Sequence, residues 1–513
     1  MNKKKESFNK RKKKANGEHG MIYYLNPFHL LNLVEGYGFA YSIKKILMSY
    51  GIAIIAGIAA SLLYKLNIIQ AIVVCIMAIA ATPFIITNAF KVIYQQNRFT
   101  QVNKYIEKML YYFETSGKIL VALKDMLHLF PTGEMHEVLE DAIEHIETST
   151  SQEDITEQAL LMIEEKFPCG RLRTLHGFLL SVERNGGNSD TAIDLLLADR
   201  NLWADRVLDT QKRKNVVKTN ILVSIILSII LCLSIIYLPS MVAANLNMPD
   251  ITSYGLVSWS SVVLIGTLLV LYIKGDSNLC IDWLDDDDIW DDEQAEKEYD
   301  KVVDYNSAAG FRESLIWALG TFAVSLVAML FIKSTIVFVI GLCLIVFMLN
   351  QHTVGHNLAK NKVEKAIEKA FPTWLMSVSL LMQTENVRVA IRESYHGAPS
   401  ILKPALVELL NELDADPDSE MPFNNFLAYF HMPEVSDAMS TLYSLSNGSG
   451  GDADTEFRNI VNRILKMMDR AEEIKNNDKI AVLGIYISAP SLMGALKLII
   501  DMTALLFAFF EMT

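Results

Sequence analysis

The chain has 513 residues, of which 51% are hydrophobic, a mean hydropathy of +0.25 and a formal net charge of -13. Such hydropathy is high for a soluble protein and typical of chains in which membrane spans alternate with polar domains. The acidic balance argues against nucleic acid as the main partner. Five widely separated cysteines without metal-ligand spacing predict small buried side chains in a reducing compartment, with no metal and no cofactor.

The first 43 residues form an arm that is rich in lysine and arginine between Lys3 and Lys14. Directly before a hydrophobic stretch, such an arm is predicted to face the cytoplasm and its anionic lipids. The first hydrophobic stretch begins near Ile46, which is too late for a cleaved signal peptide.

Uncharged hydrophobic stretches predict about seven transmembrane helices, since roughly 20 apolar residues cross a bilayer. The stretches cover residues 46–64, 66–90, 219–249, 251–273, 314–332, 334–351 and 480–496. Apolar character resumes after residue 501, so the C-terminal segment is compatible with one tilted helix or with a hairpin broken near Pro490.

Lysine and arginine cluster at alternate ends of these stretches. All clusters can face the cytoplasm together if the N-terminus is cytoplasmic and the C-terminus lies outside. The sequence therefore predicts a multi-pass protein of the cell (cytoplasmic) membrane.

Two polar regions, residues 99–218 and 360–479, carry apolar residues at three- and four-residue steps between glycine and proline breaks. This pattern predicts helical bundles. The complete predicted order is a basic arm (1–43), a transmembrane pair (44–91), the first bundle (99–218), a second transmembrane pair (219–274), an acidic linker (275–312), a third transmembrane pair (313–351), the second bundle (360–479) and a C-terminal transmembrane segment (480–513).

The fold class that follows is all-α: a polytopic membrane protein with about seven transmembrane helices and two cytoplasmic bundles of six-helix type, related by internal duplication. Two unrelated helical domains are the alternative. The last helix of each bundle, ending at Lys218 and at Lys479, is predicted to continue into the membrane without a break.

The linker between the halves contains a dense run of aspartates flanked by Trp283 and Trp290. Like charges at this density repel one another, which favours a flexible, solvated segment. In the alternative interpretation the two tryptophans anchor the segment to a basic patch on a partner.

Short motifs recur in both polar regions. Residues 371–375 (Phe-Pro-Thr-Trp-Leu) open an apolar helix that resumes after a polar break at residues 387–391 (Val-Arg-Val-Ala-Ile), and the first region has Gly117 at its own break. A Gly-Gly pair precedes the long membrane-directed helix of each region. The pairs are Gly186-Gly187 and Gly450-Gly451.

In this order the motifs resemble the platform-protein family of type II secretion (the F domain), type IV pili and tight-adherence (Tad) pili, over most of the chain. At Glu385-Asn386 the chain departs from the family, which often has Ala-Gly there. The chain looks like two Tad-type units fused through the acidic linker.

The resemblance implies a non-enzymatic platform that couples a cytoplasmic assembly ATPase to the extraction and assembly of pilin-like subunits. Its implied partners are that ATPase, the pilin-like subunits, the lipid bilayer and further copies of the chain in a homo-oligomer. Consistent with a non-enzyme, the sequence has neither a phosphate-binding Gly-x4-Gly-Lys-Ser/Thr loop nor a His-Glu-x-x-His zinc motif. His352 and His356, one helical turn apart, are interpreted as interfacial polar residues and not as metal ligands.

Two groups of candidate residues remain. Gly117 and the two Gly-Gly pairs are predicted to supply turns at helix ends, with partner contact as the alternative. Lys497 and Asp501 are four residues apart and are predicted to neutralise each other on the last helix. Their positions favour a pair that snorkels to the membrane interface; contact with a charged membrane residue of a pilin is the functional alternative.

The rival function is a membrane transporter or channel. Such a protein is expected to show polar ligands or proline-broken half-helices near the midplane, for which Pro83 and Pro490 are the best candidates. A membrane-bound sensor would need a recognisable catalytic or ligand domain, and the sequence shows none.

Overall fold

The computed structural model describes residues 27–39, 42–149, 154–186, 190–242, 252, 254–284, 290–332, 335–447 and 453–510. Across these ranges the regular secondary structure is helical and contains no strand. The predicted all-α class is therefore confirmed.

The first half of the chain contains nine α-helices among the described residues. They are α1 (Pro27–Gly36), α2 (Ile43–Leu63), α3 (Ile68–Ser116), α4 (Ile119–Leu127), α5 (Glu134–Thr148), α6 (Ile155–Lys166), α7 (Gly170–Asn185), α8 (Asp190–Val242) and α9 (Gly255–Asn278).

The second half of the chain is also helical. Its α-helices are α10 (Asp292–Val303), α11 (Ser307–Ile332), α12 (Thr335–Leu381), α13 (Val387–Ser394), α14 (Lys403–Ala415), α15 (Met421–Asn425), α16 (Pro433–Ser446), α17 (Ala453–Ala481) and α18 (Gly484–Phe510). Short 3-10 turns cover Tyr395–Gly397, Ser400–Leu402 and Ala428–Phe430.

Five of the described helices, α2, α3, α8, α9 and α18, are long and apolar enough to cross a membrane. Large apolar side chains point outward on them, among them Leu62 (72% exposed) and Ile68 (81% exposed). In water, such exposed apolar surface would promote aggregation, whereas lipid hydrocarbon solvates it. Hydrocarbon also offers no hydrogen-bond partners, and a helix satisfies its own backbone groups. These five helices are consistent with a membrane protein.

Three helices are longer than a membrane span and connect the apolar zone to the polar bundles. α8 has 53 residues and is about 80 Å long at 1.5 Å per residue. α3 has 49 residues and runs through Pro83, and α12 has 47 residues and runs through Pro372. The predicted domain limits near residues 91 and 351 therefore fall inside continuous helices.

The second bundle's last helix is not continuous, contrary to the sequence-based prediction. α17 ends at Ala481, and a turn at Val482 and Leu483 separates it from α18. Leu483 is fully buried in a cluster with Val217 of α8 and Leu279. The turn therefore directs Leu483 into a packed position that an uninterrupted helix need not reach. Of the two helices predicted to run unbroken from a bundle into the apolar zone, only α8 does so.

The two polar bundles share one hydrophobic core. Buried side chains of the first bundle, such as Leu123 and Phe167, belong to the same continuous cluster as Trp374 and Leu406 of the second. Because the cluster is continuous, the bundles pack against each other and form a single layer beside the apolar helices.

The segment between the halves is part of that layer. Trp283 and Trp290 are each only 9% exposed, and the ammonium groups of Lys214 and Lys362 lie 4.8 Å from the centres of their respective rings. Such cation–π contacts stabilise buried aromatic residues. The expectation of a flexible linker is wrong for these flanks, whose tryptophans bind basic residues of the same chain; residues 285–289, the aspartate run, lie outside the described residues.

Helix α10 extends this attachment onto the second bundle. Its Asp292 accepts hydrogen bonds from Ser400 (2.6 Å) and Lys403 (2.7 Å). Tyr299 packs against Phe430 with ring centres 5.8 Å apart, and burial raises the pKa of Tyr299 to about 12. The segment is therefore fixed at both tryptophans and along α10.

A buried hydrogen-bonded chain lies inside the first bundle and has no sequence signature. The Tyr105 hydroxyl lies 2.9 Å from His176 Nε2, and His176 Nδ1 lies 2.8 Å from Glu164 Oε1. Tyr105 is fully buried and His176 is 1% exposed. The imidazole thus connects α3, α6 and α7 through groups that would be costly to bury alone.

Replacing this imidazole tests its structural role. His176→Leu leaves the Tyr105 hydroxyl buried without its partner, so we expect the first bundle to lose about 1–3 kcal/mol of stability. Hydrogen exchange of α3 and α7 in the lipid-embedded protein measures the loss. His128→Leu, at an exposed position, is the control and should leave exchange unchanged; equal exchange in both variants would contradict the assignment.

Candidate functional site

Helix α8 of the first half runs beside α17 and α18 of the second, from the polar bundles into the apolar zone. We call the contacts between α8 and α17–α18, together with the α7 side chain that joins them, the seam. It is the structural link between the long helices of the two halves, and it is described below from the bundles toward the membrane.

The first polar contact of the seam centres on Arg171 of α7. Its guanidinium donates to Asp199 of α8 (2.8 and 3.2 Å) and lies 3.0 Å from Glu472 of α17. It also stacks over Trp203, 5.0 Å from the ring centre. Burial alone would lower the pKa of Arg171, but the two carboxylates outweigh burial and raise it. This half-buried charge has two counter-ions and an aromatic face, which together compensate its loss of hydration.

Two further contacts join α8 directly to α17. Arg206 forms a bidentate pair with Asp469, both hydrogen bonds being 2.6 Å long. Arg213 donates to Asn477 at 3.2 Å. Seven residues separate the two arginines, which places them on one face of α8. Bidentate arginine–carboxylate pairs specify orientation as well as proximity, so the helices are held in one register.

Within the second bundle, α17 is also held against α12. Lys365 and Lys369 of α12 each lie 3.2 Å from a carboxylate oxygen of Asp478. Partial burial opposes ionisation of Asp478, but the hydrogen bonds from Lys369 and Lys365 outweigh it and lower the pKa of Asp478 below its usual value. Asp478 therefore remains charged at neutral pH and keeps α17 against the helix that enters from the apolar zone.

Inside the apolar zone the seam is made by small and polar side chains. Ser224 lies 2.9 Å from Ser491, and Ser228 donates to the carbonyl of Pro490 at 2.7 Å. Residue Cys232 donates to the carbonyl of Gly494 at 3.6 Å. Small residues every four positions let membrane helices approach closely, and hydroxyl groups bind across the interface.

Pro490 lies within this contact and does not divide the C-terminal segment. α18 continues from Gly484 to Phe510 as one helix, so the hairpin alternative is not adopted. The ring nitrogen of Pro490 has no hydrogen to donate to the carbonyl of Tyr486, four residues earlier. The Ser228 hydroxyl bonds a different acceptor, the carbonyl of Pro490 itself, and so joins this turn of α18 to α8.

Lys497 and Asp501 lie on the same inward face of α18 as Pro490 and Gly494. Lys497 is 3% exposed and Asp501 is fully buried, and the ammonium group donates to Asp501 Oδ1. Among the described residues, Asp501 Oδ2 has no hydrogen-bond partner. The expectation of a pair that snorkels to the interface is wrong, because helix packing turns both side chains toward the protein interior.

The glycine motifs mark helix ends where the structure describes them. Gly117 ends α3 with a φ of 63°, and its N–H donates to the carbonyl of Phe113. Gly186 ends α7 with a φ of 72°. A side chain at these angles would be strained. Gly187, Gly450 and Gly451 lie outside the described residues.

His352 and His356 each pack against an aromatic ring near the start of α11. The ring of Tyr305 stacks on His356 with centres 3.9 Å apart, and Phe311 meets His352 edge-on at 5.8 Å. Within the described ranges, no group of three or more His, Cys, Asp or Glu is arranged to hold a metal ion. The two histidines act there as aromatic packing partners.

Compared with protein-family models, with curated proteins and with solved structures, the chain matches none. The resemblance to the platform-protein family therefore stays a prediction from the sequence motifs.

The close approach at Gly494 is open to a direct test. A Cβ atom there would lie 3.0 Å from the Ser228 side chain and 3.3 Å from its Cα. Overpacking of this kind costs roughly 1–3 kcal/mol, so Gly494→Val should separate α18 from α8. We expect oxidative crosslinking between Ser224→Cys and Ser491→Cys, in a background without native cysteines, to fall several-fold.

Gly320 of the apolar helix α11 provides the matched control, because a Cβ atom added there would meet no neighbouring atom within 4 Å. Gly320→Val should leave the crosslink intact. Crosslinking that survives Gly494→Val unchanged would show that α8 and α18 do not meet at this point.

Proposed function

We propose that this chain is a non-enzymatic platform of the inner (cytoplasmic) membrane in a type II secretion or Tad-like pilus machine. In this role it couples a cytoplasmic assembly ATPase to the extraction and assembly of pilin-like subunits. The observation that carries the proposal is the seam, which joins two helical bundles to membrane helices through one rigid path.

The order of elements supports an internal duplication. In each half an apolar hairpin (α2–α3 or α11–α12) leads through one long helix into a bundle. Shorter helices follow (α4–α7 or α13–α16), and a long helix then returns to the apolar zone (α8 or α17–α18). Two copies of one supersecondary plan in the same order are most simply explained by duplication.

The same order supports seven spans. α11 and α12 pack along each other, and Gly341 of α12 lies directly against Ser325 of α11. Their described outer side chains are exposed and apolar, for example Trp317 (64%) and Phe347 (59%). Adding this hairpin to the five apolar helices above gives the seven spans of the proposal. With lysine and arginine facing inward, seven spans correspond to a cytoplasmic N-terminus and two cytoplasmic bundles.

The mechanism follows from the difference between the two returning helices. A force on the bundles passes directly into the membrane along α8, because that helix is uninterrupted from Asp190 to Val242. α18 is separated from α17 by a turn, so its movement depends on the seam. The ion pairs of Arg171 and Arg206 keep the bundles together, and the contacts at Ser224 and Ser228 make α18 follow α8.

The partners in this proposal are the cytoplasmic ATPase, the pilin-like subunits, the surrounding bilayer and other copies of the chain in a homo-oligomer. The ATPase hydrolyses ATP, and the platform positions and moves the pilin-like subunits. This division is consistent with a site made of structural ion pairs and helix contacts.

A charge exchange across the seam tests the coupling. Arg206→Asp places two carboxylates together at Asp469 and should reduce filament or secretion output about tenfold or more, since like charges opposite each other at an interface repel. Arg206→Asp combined with Asp469→Arg restores opposite charges and should recover most of the output. Immunoblotting of membranes checks that all variants accumulate equally.

Exposed pairs offer a matched control. Arg392 and Asp414 form an ion pair on the surface of the second bundle, and Arg392→Asp should leave output unchanged, because exposed pairs contribute little. The coupling mechanism is contradicted if Arg206→Asp retains full output, or if cells lacking the chain still assemble filaments and secrete normally.

Topology gives an independent prediction. Single cysteines at exposed bundle positions such as Lys124 and Asp414 should resist membrane-impermeant thiol reagents added to intact cells and react after permeabilisation. Labelling in intact cells would place the bundles outside and exclude contact with a cytoplasmic ATPase.

The buried Lys497–Asp501 pair favours a second candidate, a transporter or channel, since ionisable residues inside membrane helices often mark substrate paths. Solute or ion flux through the purified chain in proteoliposomes, lost on replacement of both residues by leucine, would identify that function.

A further inference from the structure

A small polar site lies among the apolar helices, at the end remote from the bundles. Tyr64 follows α2 at the turn that leads into α3, and the other end of α3 enters the first bundle. Asp501 lies about 25 Å along α18 from its start at Gly484. Cys232 of α8 belongs to the same buried cluster as Tyr64. The site therefore brings side chains of α2, α8 and α18 together.

Two buried polar atoms of this site have no hydrogen-bond partner among the described residues. They are the Tyr64 hydroxyl and Asp501 Oδ2. Tyr64 is 2% exposed and Asp501 is fully buried. The two side chains interact electrostatically with each other and with Cys232, so they border the same space. Polar atoms buried this deeply usually bind a protein group or an ordered water molecule.

The charges around the site favour a neutral occupant. The Lys497 ammonium donates to Asp501 Oδ1, so the pair carries no net charge that would attract a further ion. Lys65, the next residue after Tyr64, is exposed and lies over the ring of Tyr237, 5.4 Å from its centre. Helix α9 contributes only apolar side chains to the same cluster.

The hydrogen-bonding groups select the ligand. The Tyr64 hydroxyl can donate and accept, Asp501 Oδ2 accepts, and the Lys497 ammonium has three N–H groups of which one is used by Oδ1. A buried water molecule typically makes about three hydrogen bonds to such groups. We propose that an ordered water molecule binds here, donating to Asp501 Oδ2, bonding the Tyr64 hydroxyl and accepting from Lys497.

This water would join α2 to α18 by hydrogen bonds. Polar contacts between helices help to fix their association in hydrocarbon, where apolar burial gives no preference for protein over lipid. The hairpin α2–α3 is then held to α18 at the end remote from the bundles, as α18 is held to α8 at Ser224 and Ser228. The assignment concerns water binding alone, and it stands whether or not the chain acts as a secretion platform.

The test uses the full-length protein in lipid nanodiscs, isotopically labelled at the tyrosine Cζ carbons, with water itself as the probe. Water-edited solid-state NMR transfers polarisation from water protons to nearby carbons. Tyr64→Phe and Tyr105→Phe identify the two signals by their loss. Transfer to Tyr64 should be several-fold faster than transfer to Tyr105, whose hydroxyl is equally buried but is already bonded to His176.

Replacing the ion pair by apolar residues removes the other partners of the water. Lys497→Met with Asp501→Leu should slow transfer to Tyr64 several-fold, to the level of Tyr105, because a bound water needs two or more polar partners. Ser488→Ala, at an exposed position of the same helix, is the control and should leave the transfer rate unchanged.

Slow transfer to Tyr64 in the wild-type protein, at the level of Tyr105, would overturn the proposal, and this result does not depend on the folding of the double variant. Fast transfer that persists in a folded double variant would assign the water to other groups and would overturn it as well. Filament and secretion output play no part in the measurement, so a failure of the platform function would leave the outcome unchanged.

Discussion

The structure depends on one constraint: inside hydrocarbon, helices associate through close packing and hydrogen bonds, because lipid removes the hydrophobic drive that holds helices together in water. α8 and α18 satisfy it with a row of small residues and with hydroxyl groups that bind across the interface, as Ser228 does to the carbonyl of Pro490. The C-terminal helix also packs against α9, where Tyr486 lies beside Gly275, but the hydroxyl bonds across the interface come from α8.

In the polar bundles, different interactions hold the two halves of the chain together. There water is present, and a shared hydrophobic core supplies most of the stabilisation. The ion pairs of Arg171 and Arg206 add orientation to that core, since each arginine engages carboxylate oxygens in fixed directions. In the bundles, the interface between the halves therefore combines apolar burial with ion pairs that fix its register. Among the apolar helices, the same interface is formed by close packing of small residues and by hydrogen bonds from hydroxyl groups.

The segment between the halves shows how misleading local charge can be. Its aspartate run indicates a solvated linker, yet Trp283 and Trp290 are buried under lysines of two different long helices. Burying an indole removes much apolar surface from water, and this stabilises the attachment of both flanks to the bundles. Both tryptophans consequently belong to the core that the two bundles share.

The amino-acid sequence by itself determined the helical class, the five apolar helices that the structure also shows, and the breaks at Gly117 and Gly186. These features depend on local properties, namely uncharged length, three- and four-residue periodicity, and the freedom of glycine to adopt positive φ. Tertiary structure alone decided the break between α17 and α18, the burial of Lys497 and Asp501, and the Tyr105–His176–Glu164 chain. It also paired Arg206 with Asp469, 263 residues away. Such contacts depend on which helix faces which, and spacing along one segment carries no information about the side chains brought to it from another.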